Sequence, residues 1–166
     1  GGYETAETIG ALSEYVDIWL PDLKYYSPIL SRRYSQAEDY FAVASRAVEQ
    51  MIRLTGPPEF GEYKDKRSGT ACSILRKGVI IRHMVLPRHK DDSIRLLYWM
   101  KDTLPKGGFL ISLMSQYTPF YRSADYPEIN RRITTYEYEK VLNTAIELGL
   151  TDGFMQEKSS AKEEYT

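Results

Sequence analysis

The chain has 166 residues, the size of one domain or part of one, and at 42% hydrophobic and 27% charged its composition is that of an ordinary globular protein. A net charge of −1 gives no electrostatic footing for nucleic acid or an anionic membrane, and no apolar run is long enough to span a bilayer. One cysteine, Cys72, excludes a disulfide framework within the chain and a multi-cysteine metal site built from these residues alone, so a cytoplasmic location is the default.

The start, "GGYETAET", carries no signal peptide and reads as a cut from a longer chain. A short helix is predicted over 4–14. Val16–Leu23 follows as the first strand, and there the pattern turns polar. In "VDIWLPDLKYYSP", Asp22 and Lys24 stand two residues apart and so share a face with Ile18 and Leu20. Residues 36–54 repeat Tyr40, Ala44, Ala47, Val48 and Met51 at helical spacing, with Ser35 and Glu38 placed as a capping box. Residues 56–77 are rich in glycine, proline and charge and read as a long surface loop, partly disordered. Gly78–Leu86 is the second strand, with Arg82 and Met84 on one face and His83 and Val85 on the other. A helix over 92–104 carries Ile94, Leu97, Met100 and Leu104, with Asp91, Asp92 and Ser93 as candidate caps. Phe109–Tyr117 is the third strand, ending in Gln116 and Tyr117, and a second long loop covers 118–133. A helix over 135–148 has a capping box in Thr134 and Glu137 and a terminating glycine, Gly149. A short strand at Gly153–Gln156 and a frayed tail over 157–166 end the chain.

Strands alternating with helices at this spacing predict a parallel α/β sheet of about four strands in a single domain spanning 1–166. Each strand is apolar at its start and polar at its exit, and in a parallel sheet the exits share one edge, where α/β sites are built. Asp22 and Lys24 could pair with each other or with Arg82 as plain ion pairs. An arginine in an apolar strand needs an anionic partner, which Asp22 or a ligand carboxylate or phosphate would supply. His83 and His89 lack metal-pair spacing, Cys72 has no feature marking it as a nucleophile, and "NRR" (Asn130–Arg132) reads first as solvated surface. No glycine-rich phosphate loop, G-x-S-x-G elbow or H-E-x-x-H is present.

Three stretches, "VDIWLPDLKY", "GVIIRHMVLPRHKDDS" and "SLMSQYTPF…YPEINRRITTYEYEKV…AIELGLTDGFMQEKSSAKEEYT", together resemble the C-terminal half of radical S-adenosylmethionine proteins of the branch related to pyruvate formate-lyase activating enzyme. "GGYET" resembles the end of that branch's N-x-x-G-Y-E turn, and the segment 56–77 matches poorly. The resemblance implies the second part of a partial (β/α)6 barrel of the TIM type. It implies a parent enzyme with a [4Fe–4S] cluster that reductively cleaves S-adenosylmethionine to a 5′-deoxyadenosyl radical, with a flavodoxin or ferredoxin as electron donor and a glycyl radical enzyme or other protein as partner. The cluster motif C-x-x-x-C-x-x-C is not in this sequence, so the fragment alone is expected to be inactive and to hold no cofactor. By resemblance, Asp22 and Lys24 match the acid and lysine beside the cofactor, and Arg82 matches the arginine of an I-R-x-x-V-x-P strand. Gln116 and Tyr117 occupy the exit where the activating enzymes place an adenine-contacting histidine, which this sequence lacks. Arg88 stands where the family pattern has glycine. Cutting such a barrel would bare the outer edge of the first strand, so the fragment is expected to self-associate, to cover that edge with its 1–15 segment, or to aggregate. The competing readings are a self-contained, non-enzymatic α/β module binding a small anion or nucleotide, and a cofactor-free enzyme using Asp22 and Lys24 as acid and base.

Overall fold

The structure, a computed structural model, describes residues 2–64 and 69–155. Its elements in order are α1 (Ala6–Leu12), β1 (Ile18–Trp19), α2 (Pro28–Ser35), α3 (Tyr40–Thr55), β2 (Glu59–Lys64), β3 (Ala71–Met84), α4 (Lys90–Thr103), β4 (Leu110–Met114), α5 (Thr135–Glu147) and β5 (Gly153–Met155). The expected strand end Gln156 and the tail over 157–166 lie outside the described residues.

The strands form one sheet in the order β1-β3-β4-β5, every neighbouring pair parallel, with β2 added antiparallel to β3. The parallel strands therefore follow one another across the sheet in chain order, without the reversal that marks a doubly wound fold. Helices connect each parallel pair, as the expected α/β alternation requires.

The two sheet faces differ. On one, Trp19 and Leu23 of the first strand segment, Val79, Ile81 and Val85 around β3, and Ile111 and Leu113 of β4 share one core with the apolar faces of α3, α4 and α5. The predicted stripe Tyr40, Ala44, Ala47, Val48, Met51 is buried throughout. Phe41 of α3 meets Trp99 of α4 edge-to-face, joining the helices above the sheet. On the other face Ile80, Arg82, Met84, Ser112 and Met114 are only half-buried, and Leu20 and Phe154 are exposed.

Several expectations are corrected. The segment 56–77 is not a long loop. Glu59–Lys64 pairs antiparallel with Ala71–Lys77, and only 65–68 lie outside the described residues. Both faces of this ribbon are largely exposed, so it shows none of the apolar alternation that reveals a half-buried strand. It joins the main sheet at Gly78, whose φ of 150° and 3.2 Å approach of Pro58 to an added Cβ explain the glycine. The first strand is shorter than Val16–Leu23 because Pro21 has no N–H to continue the ladder; pairing resumes only at the isolated Asp22–Arg82 bridge. The third strand stops at Met114, before Gln116 and Tyr117.

The helix expected over 36–54 starts later and has a neighbour the sequence reading missed. Gln36 adopts a left-handed φ of 55° and ends α2, and α3 begins after Asp39. No Ser35–Glu38 capping box forms; the Ser35 hydroxyl bonds the Tyr25 phenol instead (3.1 Å). Nor do Asp91, Asp92 and Ser93 cap α4, which starts at Lys90 after His89. The Thr134–Glu137 capping box on α5 is present in full, and Gly149 has the left-handed φ of 71° expected at a helix end.

Candidate functional site

The strand exits gather on one edge. Leu23 N–H donates to the Arg82 carbonyl and Arg82 N–H to the Pro21 carbonyl, both at 2.9 Å, which sets Asp22 beside Arg82. Alternation along the chain then turns Asp22, Lys24, Arg82 and Met84 away from the helices, onto the open face. Arg82 Nη2 meets Asp22 Oδ1 at 2.7 Å, with the two side chains 39% and 22% exposed. Arg82 Nε is buried and has no hydrogen-bond partner among the described residues. The Lys24 side chain is in no ion pair among the described residues, and Lys24 is exposed.

A cavity of about 300 Å³ lies over this edge, lined by Asp22, Lys24, Tyr25, Arg82, Met84, Leu86, Met114 and Tyr117. Of the residues singled out in the sequence, Asp22, Lys24, Arg82 and Tyr117 are thus brought together. Tyr117 does so against expectation, since strand alternation would have turned it from Met114. Because β4 ends at Met114, the chain is free to bend, and the Tyr117 hydroxyl donates to the Ile129 carbonyl at 3.0 Å. Burial raises the pKa of that phenol. Gln116 does not line the cavity; its amide contacts Met114 Sδ at 3.6 Å.

The segment carrying Asp22 and Lys24 is held from several sides. The Tyr40 hydroxyl, from α3, donates to the Asp22 carbonyl at 2.7 Å and accepts the Lys24 N–H at 3.0 Å. His83 Nδ1 donates to the Leu23 carbonyl at 2.7 Å. Gly2 comes so close to the Asp22 carbonyl that an added Cβ would sit 2.2 Å from it, and its φ is 96°. Tyr3 stacks on Tyr40 with centroids 5.8 Å apart. Residues 2–3 therefore lie against the first strand's outer edge at Asp22, while Leu20 lower down stays 49% exposed.

A second network ties the loops at the same edge. Asp92 accepts the backbone N–H groups of Tyr26 and Ser27, each at 2.9 Å, at the entry to α2. Glu128, from the segment 118–133, pairs with Arg33 at 2.6 Å and accepts from the Tyr34 hydroxyl at 2.8 Å. That hydroxyl has one proton, so His89 Nε2, 2.7 Å away, must be the donor toward it. Burial, with help from the Glu128 charge, pushes the Tyr34 phenol up to about 12. Its own backbone N–H, then Tyr34 and Arg33, hold Glu128 down at about 2. Arg131, from the "NRR" stretch, is committed to Glu137 (2.7 Å) rather than to an outside anion.

Sequence reasoning missed Tyr40, Tyr34, Asp92, Glu128 and Glu137 as members of this edge. Glu137 was visible only as a cap and Tyr40 only as a core residue. Tyr34, Asp92 and Glu128 act across 65 or more positions of sequence, which no local pattern carries.

Cys72 is exposed on the β ribbon. Among the described residues there is no cluster of metal-ligating side chains and no helix long and apolar enough to cross a membrane.

No family model matches the chain, and no solved structure matches it. It is similar to an uncharacterized protein of Methanocaldococcus jannaschii, 30% identical over 145 residues, which are 86% of this chain and 35% of that protein. The chain therefore spans about a third of the length of the curated relative it matches.

Proposed function

We propose that this chain is the C-terminal part of a radical S-adenosylmethionine enzyme resembling pyruvate formate-lyase activating enzyme, folded as part of a (β/α)6 barrel. The observation that carries the reading is the convergence of Asp22, Lys24 and Arg82 on one cavity at the strand exits. The reading draws further support from parallel strands that follow one another in chain order, and from the open face that would be a barrel's interior.

The residues present fit one of the implied groups and not the other. A zwitterionic amino-acid moiety would find an ammonium in Lys24, a guanidinium in Arg82 and a carboxylate in Asp22, with Met84, Leu86 and Met114 as apolar walls. A [4Fe–4S] cluster would not be held here, since the one cysteine, Cys72, sits on the exposed ribbon. Bound together in the parent, cluster and S-adenosylmethionine supply the reductive cleavage that yields a 5′-deoxyadenosyl radical. The work of this chain is orientation and exclusion of water. Lys24 attracts the ligand carboxylate, the Asp22–Arg82 pair balances charge beside it, and the Tyr117 ring closes one wall. Transfer of the radical to a glycyl radical partner belongs to the same proposal, as do the flavodoxin or ferredoxin donor and a cytoplasmic setting.

The test uses the gene's full open reading frame. The protein is reconstituted anaerobically with iron and sulfide, reduced, and assayed for 5′-deoxyadenosine released from S-adenosylmethionine. Release that falls at least tenfold on Asp22→Ala or Lys24→Ala supports the reading. A protein that binds no cluster and releases no nucleoside overturns it, and the edge then reads as a site for a small anion or nucleotide.

A further inference from the structure

Tyr40 lies outside the cavity, on the far side of the first strand from β3, yet its hydroxyl is bonded to the main chain on both sides of Leu23. In this strand Pro21 and Leu23 turn their backbone groups to β3, so the Asp22 carbonyl and the Lys24 N–H point to the opposite edge. A neighbouring strand would ordinarily satisfy them. Here one phenol oxygen does both, donating at 2.7 Å and accepting at 3.0 Å. We infer that Tyr40 is a positioning residue that stands in for a ladder partner and fixes the backbone at Asp22 and Lys24, and with it the direction in which both side chains enter the cavity.

Tyr40 is itself held rigidly. It is 5% exposed, stacks on Tyr3 with planes 8° apart, and meets Tyr25 edge-on at 5.5 Å. Tyr25 lines the cavity, so the ring array runs from the strand's outer edge to the cavity wall. Burial raises the Tyr40 pKa, which keeps the hydroxyl protonated and able to donate. The backbone assignment stands on geometry alone; its consequence for a ligand rests on the function proposed above.

Tyr40→Phe keeps the ring packing and removes both bonds. Amide exchange of the 166-residue chain, followed by NMR at 20 °C, should show Lys24 N–H exchanging at least tenfold faster in the variant. Leu23 N–H, bonded to Arg82, should be unchanged. An unchanged Lys24 amide overturns the inference. The second readout is the affinity of the reconstituted full-length protein for S-adenosylmethionine by calorimetry, expected to weaken at least fivefold in Tyr40→Phe. Ile52→Val, a core trim on the same helix, is the control for a merely structural effect. It should lower the melting temperature and leave affinity alone. Equal loss of affinity in both variants assigns Tyr40 to the core only. If the unaltered full-length protein does not bind S-adenosylmethionine, the function proposed above fails, and the Lys24 amide still decides what Tyr40 does.

Discussion

Glu137 Oε1 accepts the backbone N–H of Arg88 at 2.7 Å, so the first turn of α5 holds the loop that leaves β3. The same carboxylate takes Arg131 through both oxygens (2.7 and 2.9 Å), the Thr134 N–H and the Thr134 hydroxyl. Arg131, then these backbone and hydroxyl donors, hold the Glu137 carboxyl well below the usual range. Glu137→Ala removes half of the capping box, leaves the Arg88 and Thr134 amides without this acceptor, and leaves the Arg131 guanidinium with the Arg132 carbonyl at 2.9 Å. The expected loss is roughly 2–3 kcal/mol, because the arginine is part-exposed and regains water. Urea unfolding at pH 7 checks this. The sign with pH follows from the lowered pKa: the Glu137 contribution is present above pH 4.5 and is lost as pH falls toward its folded value. The variant should therefore lose less stability than the parent between pH 5 and 3.

Arg88 adopts a φ of 65°, the left-handed region that favours glycine, and its side chain is exposed. The resemblance places glycine at this position. Arg88→Gly should therefore raise stability by about 0.5–1 kcal/mol, strain relief outweighing the extra freedom of the unfolded chain. Arg88→Ala, which keeps the strain, should gain less. Denaturation midpoints of the two variants decide it; a Gly variant no more stable than the Ala variant would rule out strain at this turn.

Where one face of an element is buried, its identity was legible in the sequence. Tyr40, Ala44, Val48 and Met51 announced α3, and Thr134 with Glu137 announced the start of α5. The strand-exit edge was legible too, since alternation put Asp22 and Lys24 on one face and the polar exits of parallel strands put Arg82 at the same edge. The ribbon was hidden because neither of its faces is buried. The α2 helix was hidden because its entry is secured from afar, by Asp92 on the Tyr26 and Ser27 amides; only the Ser27-Pro28 pair hinted at a start. Tyr40 could be read as core but not as a backbone partner, because that role depends on which edge of a strand faces it.

The β2–β3 ribbon offers a direct discrimination between strand and loop. Its cross-strand pairs run from Glu59–Lys77, through a register shift before Phe60, to Lys64–Ala71. Amides on the paired edges should be protected from exchange, yet open at lower free energy than those of Val79 and Ile81, whose side chains are fully buried. Uniformly unprotected amides over 60–64 and 71–75 would mean a loop after all. Cys72, exposed there, should be accessible to a thiol reagent in the folded chain, and Cys72→Ser should shift stability by no more than about 0.5 kcal/mol.

His83 gives the chain a pH dependence with a definite sign. Its ring is 1% exposed, Nδ1 donates to the Leu23 carbonyl, and Nε2 is buried without a hydrogen-bond partner among the described residues. Protonation would place a charge on that dry nitrogen. Burial accordingly lowers the pKa below 6.5, although the Leu23 bond and the Asp92 charge pull the other way. A histidine whose folded pKa is depressed leaves the unfolded chain binding more protons at acid pH. Its contribution is complete above pH 6.5 and is lost as pH falls below that value, at no more than about 1.4 kcal/mol per pH unit. Burial lowers His89 in the same direction, so the two histidines act together. His83→Asn retains a donor for the Leu23 carbonyl and removes the titration. The variant should be less stable at pH 7.5, where a smaller side chain leaves a cavity, by about 1–3 kcal/mol. Between pH 7 and 5 its stability should fall less steeply than the parent's. Parallel slopes over that range, from urea midpoints taken every half pH unit, would show that the buried imidazole already takes a proton in the folded chain as easily as in the unfolded one.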